Sequence, residues 1–186
     1  MKLQTILVST RPGRSGPSIA TWFHNYAREH GVFEAALVDL ADYNLPIFDE
    51  PKHPRLRDYD HEHTKKWSAT IAAGDAYVFV TPEYNYGPTP AFINALTYLA
   101  REWAYKPCAF VTYGGVFGGQ RALQIERLAV THLKMMPIPE SVSIPMFTSL
   151  IDSDKVFKPN ELITMGADVL LDELAKWAGT LKQMHA

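Results

Sequence analysis

The chain has 186 residues, 47% of them apolar and 20% charged, with a formal net charge of −2. That length suits one domain, here residues 1–186, around a single core, and the near-neutral charge argues against a dedicated nucleic-acid binder. No apolar run approaches the roughly 20 residues that span a bilayer, the start Met1–Val8 is unlike a signal peptide, and the lone Cys108 fits a reducing cytosol.

Apolar runs alternate with helical patterns along the chain, which predicts a parallel sheet with crossover helices. The first strand is expected over Leu3–Ser9. A helix follows with Ile19, Trp22, Phe23 and Tyr26 at helical spacing, and Gly31 offers its stop. Phe33–Leu40 reads as a second strand. The stretch from Asp42 to Asp60 is the least regular; His53, His61 and His63 lie in or beside it, but no carboxylate or cysteine stands at convincing ligand spacing for a metal. Trp67 and Ile71 then mark a helix that Gly74 can end.

The continuous apolar run Ala76–Val80 predicts a third strand, covered on both faces. Thr89 and Pro90 open the next helix as N-cap and first-turn proline, with Phe92, Leu96, Leu99 and Trp103 as its buried stripe. Cys108–Tyr113 gives a fourth strand, with Cys108 buried in it as an inert thiol. Arg121–Leu133 gives a helix, and Val142 and Ile144 belong to a fifth strand. The last helix begins at Asn160, with Leu162, Met165, Val169, Leu174, Trp177 and Leu181 assigned to its inner face. The expected fold class is α/β, a doubly wound five-stranded parallel sheet with helices on both faces.

In such sheets ligands bind beyond the carboxyl ends of the strands, where strand order reverses. Three loops there have unusual composition. Ser9-Thr10-Arg11-Pro12-Gly13-Arg14-Ser15-Gly16 combines hydroxyls, glycines, two arginines and a helix start, which suits a phosphate dianion, although a polar turn with surface arginines has the same composition. It matches neither G-x-x-x-x-G-K-[ST] nor G-x-G-x-x-G, which disfavours a nucleoside triphosphatase or a standard dinucleotide domain. Pro82-Glu83-Tyr84-Asn85-Tyr86-Gly87 is stiffened by proline and offers planar tyrosines and an amide, as a flat heteroaromatic ring requires; a hairpin-like connection with packing tyrosines is the alternative. Thr112 to Arg121, with Tyr113 and four glycines at Gly114, Gly115, Gly118 and Gly119, lets backbone approach a ligand closely; flexibility between a strand and a helix is the alternative.

From Leu3 to about Phe147 the sequence resembles the NAD(P)H-dependent FMN reductase family, whose relatives include quinone, azo-dye and chromate reductases and whose fold is flavodoxin-like. Pro82-Glu83-Tyr84-Asn85 followed by Asn94-Ala95-Leu96 carries the resemblance. Gly118-Gly119-Gln120-Arg121-Ala122 and Ser9-x-Arg11 support it. The resemblance implies Ser9, Arg11, Arg14, Ser15 and Gly16 around the FMN phosphate, Pro82 to Gly87 along the isoalloxazine, and Tyr113, Gly114 and Gly115 at its pyrimidine edge. It also implies a homodimer or homotetramer with the flavin near the interface, NADPH or NADH as co-substrate, and a small-molecule electron acceptor of flavin, quinone or azo type.

The sequence departs from that family at Val8, Arg14, Ile93, Thr97 and Tyr113. The cofactor carries the redox chemistry, so no side chain is needed as nucleophile or base, and Glu83 reads as a structural carboxylate. Arg11, Arg14 or Arg121 could meet a nucleotide phosphate. Specificity is expected in Ile47–Arg57, at the pocket mouth. Two rivals share the topology: an electron-carrier flavodoxin, and a flavin-free signalling domain. The first usually has an acidic surface and a hydroxyl-rich phosphate loop; the second needs an acidic cluster where Arg11–Arg14 stand.

Overall fold

Alternate residues of the central strands are buried on opposite faces, so the sheet requires a helical layer on each side. A computed structural model, describing residues 1–184, has that arrangement. Strands β1 (Lys2–Leu7), β2 (Glu34–Asp39), β3 (Ala76–Pro82), β4 (Pro107–Tyr113) and β5 (Met136–Ile144) form one parallel sheet in the order β2-β1-β3-β4-β5. All seven residues of β3 and all seven of β4 are buried.

Helices α1 (Gly16–His30) and α5 (Glu161–Leu181) cover one face, where Leu3, Leu7, Val78, Val80 and Val111 meet Ile19, Phe23 and Leu170. Helices α2 (Glu62–Ala72), α3 (Pro90–Thr97) and α4 (Gln120–His132) cover the other, where Ile6, Tyr77, Phe79 and Phe110 meet Trp67, Phe92, Leu123 and Trp103. Strand order reverses between β1 and β3, which places their carboxyl-end loops side by side. Among the described residues, no helix is long and apolar enough to cross a membrane.

Local chemistry sets the expected boundaries. Thr89 caps α3, its hydroxyl accepting from the Phe92 N–H at 3.1 Å, and Pro90 fills the first turn. Gly31 ends α1 in the left-handed conformation. Asn160 caps α5 through the Ile163 N–H at 3.0 Å. Cys108 is buried and inert, its thiol pKa raised by desolvation.

Three expectations are corrected. The first strand ends at Leu7 rather than Ser9: the Val8 N–H still bonds the Val80 carbonyl, and the chain then turns away. Helix α3 stops at Thr97, so Leu99 and Trp103 are buried from the following turns rather than along a helical stripe. On α5, Leu162, Met165 and Val169 are 77%, 55% and 55% exposed, while Ile163, Ala167, Leu170, Leu171, Leu174 and Ala178 face the sheet. Both sets have helical spacing, one residue or about 100° apart, so periodicity alone does not choose between them. The small Ala167 and Ala178 let the backbone approach the sheet.

The irregular stretch holds two short 3-10 turns, at Leu40–Tyr43 and Pro54–Leu56. Its histidines are used locally: His53 accepts from the Arg55 N–H, and His63 bonds Asp49 at 3.0 Å while stacking on His61. Among the described residues, no group of three or more His, Cys, Asp or Glu is placed to hold a metal ion.

Candidate functional site

The loop after β1 is shaped by Arg14. Its guanidinium donates to the Ser9 carbonyl and makes a two-point ion pair with Asp39 at 2.8 and 2.6 Å. Asp39 ends β2, the strand beside β1, so the pair fastens the loop across the strand ends. Arg14 therefore acts as a brace, and Asp39 is a residue the sequence reading missed. An acid at the carboxyl end of the neighbouring strand was the available signal. Arg11 is exposed and makes no ion pair among the described residues; its guanidinium carbon lies 5.9 Å from the centre of the Tyr84 ring.

Among the described residues, the N–H groups of Thr10, Arg11, Gly13, Arg14 and Ser15 find no acceptor, and the Ser15 hydroxyl makes no capping bond to α1. Unpaired donors at a helix start, with no acid in its first turn, form a positive concavity. Beneath it, Tyr113 reaches from the end of β4 and donates its hydroxyl to Ser9 Oγ at 3.3 Å. Burial pushes the phenol up to about 12, so it stays a neutral donor. Gly16 closes this floor: a Cβ there would sit 2.5 Å from Ser9 Oγ and 2.6 Å from the Tyr113 hydroxyl. The Tyr113 side chain thus faces the first loop rather than the glycine loop with which it was grouped.

The second loop turns on Tyr84–Gly87, whose backbone N–H and C=O groups exchange bonds of 3.0 and 2.9 Å. Asn85 and Tyr86 have φ of 48° and 70°, the pattern of a primed hairpin turn. Left-handed backbone at two non-glycine residues costs on the order of 1–3 kcal/mol each. The loop thus has the hairpin-like form of the alternative reading, with strain of a kind that concentrates at ligand clamps.

Arg121, at the start of α4, ties the second loop to the third. Its side chain pairs with Glu83, and its backbone N–H donates to Glu83 Oε2 at 3.2 Å. Its guanidinium carbon stacks 3.8 Å from the Tyr86 ring centre and 4.3 Å from that of Phe117. Burial would raise the Glu83 carboxyl, but the hydrogen bonds and charge of Arg121 outweigh it and hold it below the usual range. Glu83 is accordingly a structural carboxylate, bonded to nearby backbone as expected, and Arg121 is already engaged.

The glycine loop is buttressed by the segment after β5, which the sequence reading did not include: the Met146 N–H bonds the Gly115 carbonyl at 2.9 Å. Gly119, at φ 85°, has no room for a side chain, since a Cβ would lie 2.9 Å from Thr112 Cβ. Nothing lies within 4 Å of a Cβ built on Gly115 or Gly13, so both border open space. Exposed Tyr86, Val116, Phe117 and Met146 give this end of the sheet an apolar rim.

The Ile47–Arg57 stretch is tied to α3. The Phe48 N–H donates to Asn94 Oδ1 at 3.0 Å, and Asn94 Nδ2 donates to the Pro46 carbonyl at 2.6 Å. It lines a separate cleft of about 1320 Å³ along α3 and α4, bordered by Phe48, Arg55, Ile93, Thr97, Arg101 and Leu133. None of the three loops lines that cleft. The loops are joined instead by the Arg11–Tyr84, Tyr113–Ser9 and Arg121–Glu83 contacts, which bring every predicted site residue to one end of the sheet.

The NADPH-dependent FMN reductase family profile matches residues 1–149. An NAD(P)H-dependent FMN reductase of Schizosaccharomyces pombe is 37% identical over 184 residues, covering 98% of this chain and 86% of that protein. A quinone reductase of Pseudomonas putida is 28% identical over 149 residues, 76% of each chain. Among solved structures, the NAD(P)H:(acceptor) oxidoreductase FerB of Paracoccus denitrificans superposes with a TM-score of 0.74 at 20% identity, covering 96% of this chain and 97% of that one. The flavodoxin-like sheet, the cradle after β1 and the match over most of the chain agree: the protein belongs to the NADPH-dependent FMN reductase family.

Proposed function

We propose that the three loops hold FMN and that the enzyme reduces small flavin, quinone or azo acceptors with NAD(P)H by a ping-pong mechanism. The observation that carries the site is the cradle at Thr10–Ser15, whose free N–H groups, with Arg11 beside them, match a phosphate dianion. Ser9, Ser15 and Gly16 complete it, with Arg14 holding its shape. Pro82 to Gly87 then offer a rigid surface for the isoalloxazine, and the free N–H groups of Gly115 and Val116 suit its pyrimidine edge. The bound flavin supplies two-electron transfer between nicotinamide nucleotide and acceptor. The chain's own work is to bind and orient it and to keep apolar side chains around the exchange site.

With purified protein, FMN and a quinone, NADPH or NADH should be oxidised, with parallel double-reciprocal plots as the acceptor is varied. No nucleotide oxidation would favour an electron-carrier flavodoxin, and intersecting plots would reject ping-pong kinetics. The single buried thiol supports a cytosolic setting, which cell fractionation tests by finding the protein outside the soluble fraction or within it.

We also propose that the chain works as a homodimer, or a pair of dimers, joined through α3 and α4. Ile93, Ile125 and Leu128 stand 40%, 48% and 77% exposed on these helices, apolar side chains that a partner subunit would cover. Light scattering should give at least twice the 20.9 kDa chain mass, and Leu128→Asp should reduce it to one chain. A wild-type monomer would reject this assembly.

A further inference from the structure

On α4, the inward stripe Leu123, Glu126 and Val130 places a carboxyl where an apolar side chain would be expected. Glu126 is fully buried. Its Oε1 lies 2.6 Å from Thr81 Oγ1, and its Oε2 has no partner among the described residues. Thr81 Oγ1 in turn lies 3.4 Å from the carbonyl of Pro82, the first residue of the flavin loop. A desolvated carboxylate with no cation is strongly disfavoured, so the group is held as the neutral acid.

No charge within the surrounding elements alters that conclusion. Helix α3 carries no ionisable residue, and β3 carries only Tyr77, whose hydroxyl is bonded to the Ile71 carbonyl. On β4, Cys108 is a buried neutral thiol and Tyr113 reaches Ser9; on β5, Glu140 is half-buried. On α4 itself, Arg121 is paired with Glu83 and Arg127 donates to the Ile138 and Pro139 carbonyls, leaving His132 at the far end of the helix.

We propose that Glu126 is a positioning residue for the flavin loop, its acid proton directing the Thr81 hydroxyl onto the Pro82 carbonyl. The Thr81 hydroxyl has one hydrogen and cannot serve both neighbours as donor. When Glu126 is protonated, its O–H donates to Thr81 Oγ1 and the Thr81 hydrogen points to Pro82. When the proton leaves to solvent, the carboxylate takes the Thr81 hydrogen and Pro82 loses its donor. Burial raises the Glu126 pKa to about 8, so the change falls just above neutral pH.

This inference rests on Pro82–Gly87 being the flavin loop, and the experiment separates the two. FMN dissociation constants are measured by flavin fluorescence from pH 6.5 to 9.5 for wild type, Glu126→Gln, Thr81→Val and Tyr86→Ala. Ionisations of FMN itself are common to all four and cancel in the ratios. Wild-type affinity should fall by about 5–10-fold, roughly 1 kcal/mol, across pH 8. Glu126→Gln should be flat, and Thr81→Val flat and weaker throughout. A flat wild-type curve, or an unchanged pH dependence in Glu126→Gln, overturns the proposal while Tyr86→Ala still weakens FMN binding. Undiminished FMN binding by Tyr86→Ala would instead defeat the flavin-loop assignment, and the role of Glu126 with it.

Discussion

Gly16→Ala is expected to lose most of its FMN affinity while the sheet remains folded. Gly16 lies within α1, at a backbone conformation any residue can adopt, so the requirement is for space alone. The added methyl carbon would meet Ser9 Oγ at 2.5 Å, and Leu7 Cδ1 and the Tyr113 hydroxyl at 2.6 Å each. None of these atoms belongs to a flexible exposed side chain, since all three residues are buried. The least costly relief is to lift the loop from its floor, which separates Ser9 from Tyr113 and disperses the Thr10–Ser15 donors. Overpacking of this kind costs about 1–3 kcal/mol, and if borne by the loop it weakens FMN by roughly 10–100-fold. Fluorescence titration with FMN checks it. Gly179→Ala, which meets nothing within 4 Å, should bind FMN normally and gain up to about 1 kcal/mol of helix stability. Equal FMN affinity in Gly16→Ala and wild type would show that the floor is not part of the phosphate site.

Glu126→Gln is expected to be more stable than the wild type at pH 8 and equal to it at pH 4.5 or below. The Glu126 pKa rises from an ordinary 4.5 to about 8 in the fold, because burial penalises the charged form. A raised pKa means that the folded state binds the proton more tightly than the unfolded chain. Its favourable share is therefore complete below about pH 4.5 and is lost as pH rises to about 8, where the loss levels off. At pH 7 the difference is on the order of 3 kcal/mol, at about 1.4 kcal/mol per pKa unit. For a domain of this size that corresponds to about 6–12 °C in melting temperature. Glutamine keeps a donor for Thr81 Oγ1 in its amide N–H and cannot ionise, so its melting curve should separate progressively from wild type between pH 5 and 8. Parallel profiles across that range would contradict a buried neutral acid. The same variant thus gains stability while losing the pH response of flavin affinity.

The family assignment was legible in short motifs, and that legibility had a physical cause. Ligand loops at strand ends are written in glycine, proline, serine and arginine, which are visible without knowing what lies next to them. Individual roles were less legible. Arg14 and Arg121 look like free cations in sequence, but their partners, Asp39 and Glu83, lie 25 and 38 residues away. Tyr113 is adjacent in sequence to the glycine loop, yet its side chain crosses beneath β3 to Ser9, 104 residues distant. Glu126 attracted no notice because a lone glutamate on a helix is ordinarily solvated; only its burial makes it unusual.

The sequence by itself determined the strand and helix succession, the caps at Thr89, Asn160 and Gly31, and the unusual composition of the three loops at the carboxyl ends of the strands. These depend on local stereochemistry and on side-chain period, which any short segment carries. Tertiary structure alone decided which face of α5 is buried, where the Ile47–Arg57 stretch runs, and which charges are paired. Helix α5 is apolar on more than one face, and the sheet selects the stripe whose alanines permit close approach. Charge pairing depends on strand order, because β2-β1-β3-β4-β5 sets Asp39 beside Ser9 and Thr81 opposite Glu126. Those neighbours meet only when the chain has folded.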